Sequence, residues 1–183
     1  MPRWVLVLTA ALVIAAAAVA ISLLVATRDP SRVGVGEGPG EALTDQCASH
    51  AAPPEGFEYS SQPPTSGPHE PGLPAGDERR LGDDELLHVL ELGNVAFAYD
   101  ARRPPPELVA LRDDLAGDFD VELAAAGQAV LLVRHSAADG VTALAWNRRL
   151  ITEDPADPAL REFAEHWLGR GADDGEDACP RAG

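Results

Sequence analysis

The residues best equipped for chemistry are His69, His88 and Glu91. His88 and Glu91 are three apart in "DDELLHVLELGN" (Asp83–Asn94), so a helix there sets them side by side on one face. His69 lies in "PPTSGPHEPG" (Pro63–Gly72), a loop with almost nothing apolar to bury. If that loop folds back onto the helix, two imidazoles and a carboxylate make a three-ligand site for a divalent ion, with water at the open fourth position. The same residues have a plainer use. His88 can donate to a backbone carbonyl or to Glu91, and His69 can bond the loop that carries it, as buried imidazoles commonly do. At the level of sequence both readings stay open.

Other groups carry less. Ser66 has no strand–turn–helix elbow around it, so no catalytic triad and no catalytic residue is assigned. Gly34, Gly36, Gly38 and Gly40 lack the strand and the lysine of a phosphate loop. The one methionine is Met1, which argues against Met-rich copper(I) capture. His135 in a turn and His166 on the outer face of a helix read as solvated. A divalent metal is thus the one cofactor these residues suggest.

Cys47 and Cys179 are the two cysteines, without CxxC spacing or a zinc pattern. In an exported chain an even pair suggests one disulfide. It would tie the linker to the C-terminal tail and contribute about 4–5 kcal/mol in the chain-entropy view.

Elements must position these groups. Residues 1–3 are a short tail. Residues 4–27 hold no charge, Pro or Gly over 24 positions, which exceeds the roughly 30 Å hydrocarbon core at about 1.5 Å per residue. They read as an uncleaved transmembrane anchor rather than a signal peptide. Arg3 before and Arg28 and Arg32 after nearly balance the positive-inside rule, and the short N-terminus is placed inside. Residues 28–58 read as a Gly/Pro-rich linker that buries too little to offset its ordering entropy. Residues 59–170 form an extracytoplasmic domain that includes the Pro-rich loop 63–76, and 171–183 an acidic tail.

Within the domain the pattern is helix, strand, helix, strand, strand, helix. A short helix starts at Asp83 or Asp84, "VAFAY" (Val95–Tyr99) is a buried strand, and Pro106 opens the next helix. "QAVLLVR" (Gln128–Arg134) and "VTALAWN" (Val141–Asn147) read as a hairpin across an Asp-Gly turn. Leu160, Phe163, Ala164, Trp167 and Leu168 form one apolar stripe on a last helix capped by Asp157. The expected fold is α/β or α+β, a small mixed sheet of about three strands covered by about three helices.

Three stretches in this order resemble one bacterial family, the domain of unknown function numbered 3105. They are "PPTSGPH" (Pro63–His69), "LHVLELGNVAFAYD" (Leu87–Asp100), similar to the family's H-x-L-E-H-G-x-V, and "ALAWNRRL" (Ala143–Leu150), similar to its T-A-W-G-R segment. The likeness covers about residues 57–179. It implies an N-terminal anchor and an extracytoplasmic domain, with no assigned reaction. The second histidine of the family's H-x-L-E-H is Leu92 here, and the W-G-R glycine is Asn147. Leu92 breaks the H-x-x-E-H string of some zinc peptidases that the family pattern would otherwise fit.

The formal charge of −16 argues against a phosphate-binding surface, and no nucleic-acid partner is expected. The expected partners are the membrane, through residues 4–27, and an envelope protein. The sequence therefore points to a single-pass protein of the cell membrane, its bulk extracytoplasmic, more a binding or structural module than an enzyme. The alternative is a metal-binding or metal-dependent protein built on His69, His88 and Glu91.

Overall fold

The computed structural model describes residues 38–172. The expected anchor at 4–27, most of the tail at 171–183, and Cys179 lie outside the described residues. Among the described residues no helix is long and apolar enough to cross a membrane.

The centre of the fold is "VAFAY". Strand β3 (Val95–Tyr99) is buried at every position. Its side chains alternate between two faces. Ala96 and Ala98 join one core, while Val95, Phe97 and Tyr99 join the other. The small pair lets helix α1 (Asp83–Glu91) approach closely, packing Leu86, Leu87, Val89 and Leu90. The larger trio meets α2 (Pro106–Leu115) and α4 (Pro158–Trp167) through Leu108, Leu160 and Phe163. Each such buried side chain contributes about 1.5–3 kcal/mol.

Around β3 the strands β1 (Glu41–Ala42), β2 (Arg79–Arg80), β4 (Val130–Arg134), β5 (Val141–Ala145) and β6 (Arg148–Thr152) form a six-stranded sheet in the order β1-β6-β5-β3-β4-β2. β2, β4 and β3 are parallel, and β5, β6 and β1 add antiparallel pairs. With α3 (Val121–Ala125) the domain is a mixed α/β fold of six strands and four helices among the described residues. That is more than the expected three and three. The two-residue strands β1 and β2 are too short to show a period. In α3 five residues are held by the Asp120 cap, which accepts from the N–H groups of Glu122 and Leu123.

The expected hairpin is corrected. β4 and β5 are not neighbours, because β3 lies between them, parallel to β4 and antiparallel to β5. A strand apolar on both faces needs partners on both edges, and β4 and β5 supply them. The hairpin is β5–β6, with Ala145 opposite Arg148 and a two-residue turn at Trp146-Asn147. Asn147 sits at φ +58°. Asparagine and glycine tolerate this left-handed region best, so the departure from W-G-R keeps the turn.

Residues 38–58, read from composition as linker, pack on the body. β1 pairs with β6, and Trp167 Nε1 donates to the Pro39 carbonyl at 2.9 Å. Composition misses this because the contacts are made by backbone and by single polar side chains. His135, read as solvated, is buried, and its Nδ1 accepts from the Ala137 N–H at 3.2 Å.

Candidate metal centre

The last turn of α1 carries His88 and Glu91. Its end is fixed on two sides. Gly93, at φ +102°, closes the helix with its N–H on the Leu90 carbonyl, and the Glu91 carbonyl accepts from Ala172 N–H at 2.9 Å. The buried Asn94 then donates to the Val89 and Ala124 carbonyls and accepts from Ala129 N–H. The turn bearing the two site residues is therefore held by polar bonds as well as by packing.

Across it runs a strap, residues 43–69, without regular secondary structure beyond turns and bends. Side chains give it order. Gln46 donates through Nε2 to the Glu58 carbonyl and accepts from Ser60 N–H. Ser66, fully buried, accepts from Gln46 N–H and donates to the Thr44 carbonyl. Two rungs then join the two ends of the strap. Gly67 N–H donates to the Cys47 carbonyl, and His69 N–H to the Ser49 carbonyl, both at 2.9 Å. These rungs place His50 beside His69. Cys47 itself is disulfide-bonded.

Gly67 is at φ +128°, and a Cβ there would come within 2.9 Å of the Tyr59 ring. Tyr59 Oη donates to the Pro68 carbonyl at 2.9 Å. The "SGPH" loop is thus pressed into the shape that aims His69 inward, where its side chain is fully buried. Its ring lies 6.5 Å, centroid to centroid, from that of Trp146 in the β5–β6 turn.

The structure brings His69, His88 and Glu91 together, as the sequence reading allowed, and adds His50. One ligand atom from each lies within 4.8 Å of all the others. Glu91 Oε2 is the hub. It stands 2.9 Å from His50 Nε2, 3.0 Å from His69 Nε2 and 3.3 Å from His88 Nδ1. His50 Nε2 also meets Glu91 Oε1 at 3.1 Å. The plainer sequence reading is true in its details, since His88 does meet Glu91 and His69 does bond its own loop. The two readings describe one cluster.

With the His69 ring neutral, the hydrogen bonds of that cluster do not all close. His69 Nδ1 lies 3.0 Å from the Gly67 carbonyl, which only accepts, so Nδ1 carries the proton. In the neutral ring Nε2 is then a bare lone pair facing a carboxylate oxygen. Burial pushes the His88 pKa down and outweighs the pull of Glu91, with the nearby His69 and His50 adding to the fall. His88 is therefore held toward its neutral form. Burial works to raise the Glu91 carboxyl, but the hydrogen bond and charge of His50 and the charge of His69 prevail and hold it below the usual range. An ionised carboxylate oxygen with about two lone-pair directions thus faces three imidazole nitrogens. Such a set is rich in lone pairs and poor in protons, which is the chemistry of a cation site. The carbonyl on the far nitrogen of His69 is also the usual way a metal-bound imidazole is fixed in its tautomer and orientation.

A model of the family described as "Protein of unknown function (DUF3105)" matches residues 50–181. The chain belongs to this family. No curated protein and no solved structure matches it. The DUF3105 match starts at His50 and spans all four residues of the cluster, as well as the three stretches whose likeness to DUF3105 was noted above. Leu92 contributes no ligand atom, and His50 brings the fourth group from the strap.

Sequence reasoning missed His50 because it lies in a stretch low in apolar residues, read as spacer. The available signal was weak: a histidine three residues after Cys47, in a segment that the expected disulfide would tie to the C-terminal tail.

Proposed function

We propose that this chain is a metal-binding module of the cell envelope, anchored through residues 4–27, which holds one divalent transition ion with His50, His69, His88 and Glu91. The observation that carries the reading is the convergence of three imidazole nitrogens on Glu91 Oε2, with the His69 proton committed to the Gly67 carbonyl. Three imidazoles and a carboxylate, without thiolate or thioether, suit a borderline ion such as zinc, nickel or copper(II) rather than copper(I) or magnesium. With neutral rings and an ionised carboxylate, a divalent ion leaves the centre one charge positive. The acidic chain, at −16, disfavours nucleic acid and suits a cationic or protein partner in the envelope.

The test is the metal content of the purified full-length chain beside His69→Ala and Glu91→Ala, with circular dichroism to confirm the fold. The expected result is one ion per chain in the parent and a small fraction of that in either variant. Equal content in all three would overturn the reading.

A further inference from the structure

The four groups are not equivalent. His69, His88 and Glu91 side chains are 0 %, 15 % and 16 % exposed, whereas His50 is 51 % exposed. His88 and Glu91 stand on a helix whose end is pinned, and His69 is held by the Gly67 carbonyl and by a shaped loop. His50 extends from the strap, and among the described residues the polar contacts of its ring are with Glu91. The centre therefore has a fixed, buried half and one solvent-side imidazole.

Resting on the metal reading above, we infer that His50 is an exchangeable ligand and that a small anion takes its position on the ion. The charge favours an anion. With His50 withdrawn, two neutral imidazoles, one carboxylate and a divalent ion still sum to one positive charge. The solvent side of the centre is the one His50 covers, because its side chain is far more exposed than those of the other three groups. Exchange breaks one nitrogen–metal bond and forms one anion–metal bond. No electron is transferred, and the released His50 ring turns to solvent.

Cobalt(II) serves as the probe metal and azide as the probe anion, using the full-length protein. Cobalt binding is read from its visible bands, and the His50 ring from its paramagnetically shifted proton resonance. The proposal expects azide to produce a new charge-transfer band while the shifted His50 resonance disappears. It expects His50→Ala to keep one cobalt per chain, with affinity weakened by no more than about 100-fold, the scale of losing an outer hydrogen-bond partner. Azide should then half-saturate His50→Ala at least about tenfold lower than the parent, since no ring competes. Retention of the His50 resonance after azide binds, no azide band at all, or loss of all cobalt in His50→Ala would each overturn the exchange proposal while leaving the metal reading intact. Absence of cobalt binding in the parent overturns the metal reading and, with it, this one.

Discussion

Two polar clusters are buried in this domain, and they are built in opposite ways. At one, the buried Arg112 of α2 is the hub. Its N–H groups reach Asp77 at 3.0 Å, Glu78 at 3.1 Å, Asp113 at 2.9 Å and Asp118 at 3.4 Å. A guanidinium with five donors meets groups that only accept, so every contact is complementary. Burial alone would lower the Arg112 pKa, but hydrogen bonds to Asp77 and Asp113 more than compensate, and it is raised. At the other, the hub is an acceptor, Glu91 Oε2, ringed by three imidazole nitrogens that each act as donor or as lone pair according to protonation. Burial of polar groups is thus not itself a mark of function. The donor–acceptor balance separates a cluster closed on its own charges from one whose side chains are placed to hold a metal ion.

The widest separation between the clusters should come from Arg112→Ala. It strands the Asp77 carboxylate, whose side chain is 9 % exposed and which also accepts from Leu132 N–H. Breaking a buried pair in this way costs about 3–5 kcal/mol. Denaturant unfolding should show that loss, and it should appear equally with and without metal.

The His/Glu cluster should respond the other way. Metal at about 100 times its dissociation constant should stabilise the parent by about 2.7 kcal/mol, and a chelator should remove that gain. His88→Ala should lose the metal-dependent part and leave the metal-free protein within about 1 kcal/mol of the parent. Thermal unfolding across a metal titration measures both. A His88→Ala loss as large as that of Arg112→Ala, and insensitive to metal, would erase the contrast.

The smallest effect calibrates the other two. Arg79 and Glu85 form a partly exposed two-point pair at 2.6 and 3.1 Å. The hydrogen bond from Arg79 holds the Glu85 carboxyl below its ordinary value of 4.5, against a smaller opposing effect of burial. A depressed carboxyl stabilises the fold above its unfolded pKa, and that contribution fades as pH falls through the folded value. Glu85→Gln should therefore lower stability by about 0.5 kcal/mol near neutrality, and the gap from the parent should close below pH 4.5. A gap that persists at lower pH would mean the pair acts through packing instead.

What the sequence shows and hides follows the same division. The apolar stripe of α4, the buried run of β3 and the Pro106 start of α2 are legible because burial imposes a period on the side chains. Trp146 and Trp167 are core residues. The strand order is not legible, because runs buried on both faces carry no mark of which partner each edge takes. Three of the four site residues could be named from chemistry and helical spacing. His50 could not, because its place is set by two backbone rungs between Cys47–Ser49 and Gly67–His69, and backbone bonds leave no signature in residue type. The contrast between Arg112 and Glu91 is equally hidden, since both are charged residues near a helix end until their partners are known.

The most direct test of the central claim is an anomalous-scattering map of crystals of this protein grown with cobalt(II) or zinc, recorded at the metal edge. The account predicts one strong peak within bonding distance, about 2.0–2.2 Å, of His69 Nε2 and a Glu91 oxygen, with His88 and His50 completing the set. A map with no peak among these four residues, under conditions where the ion is bound elsewhere or not at all, would contradict it.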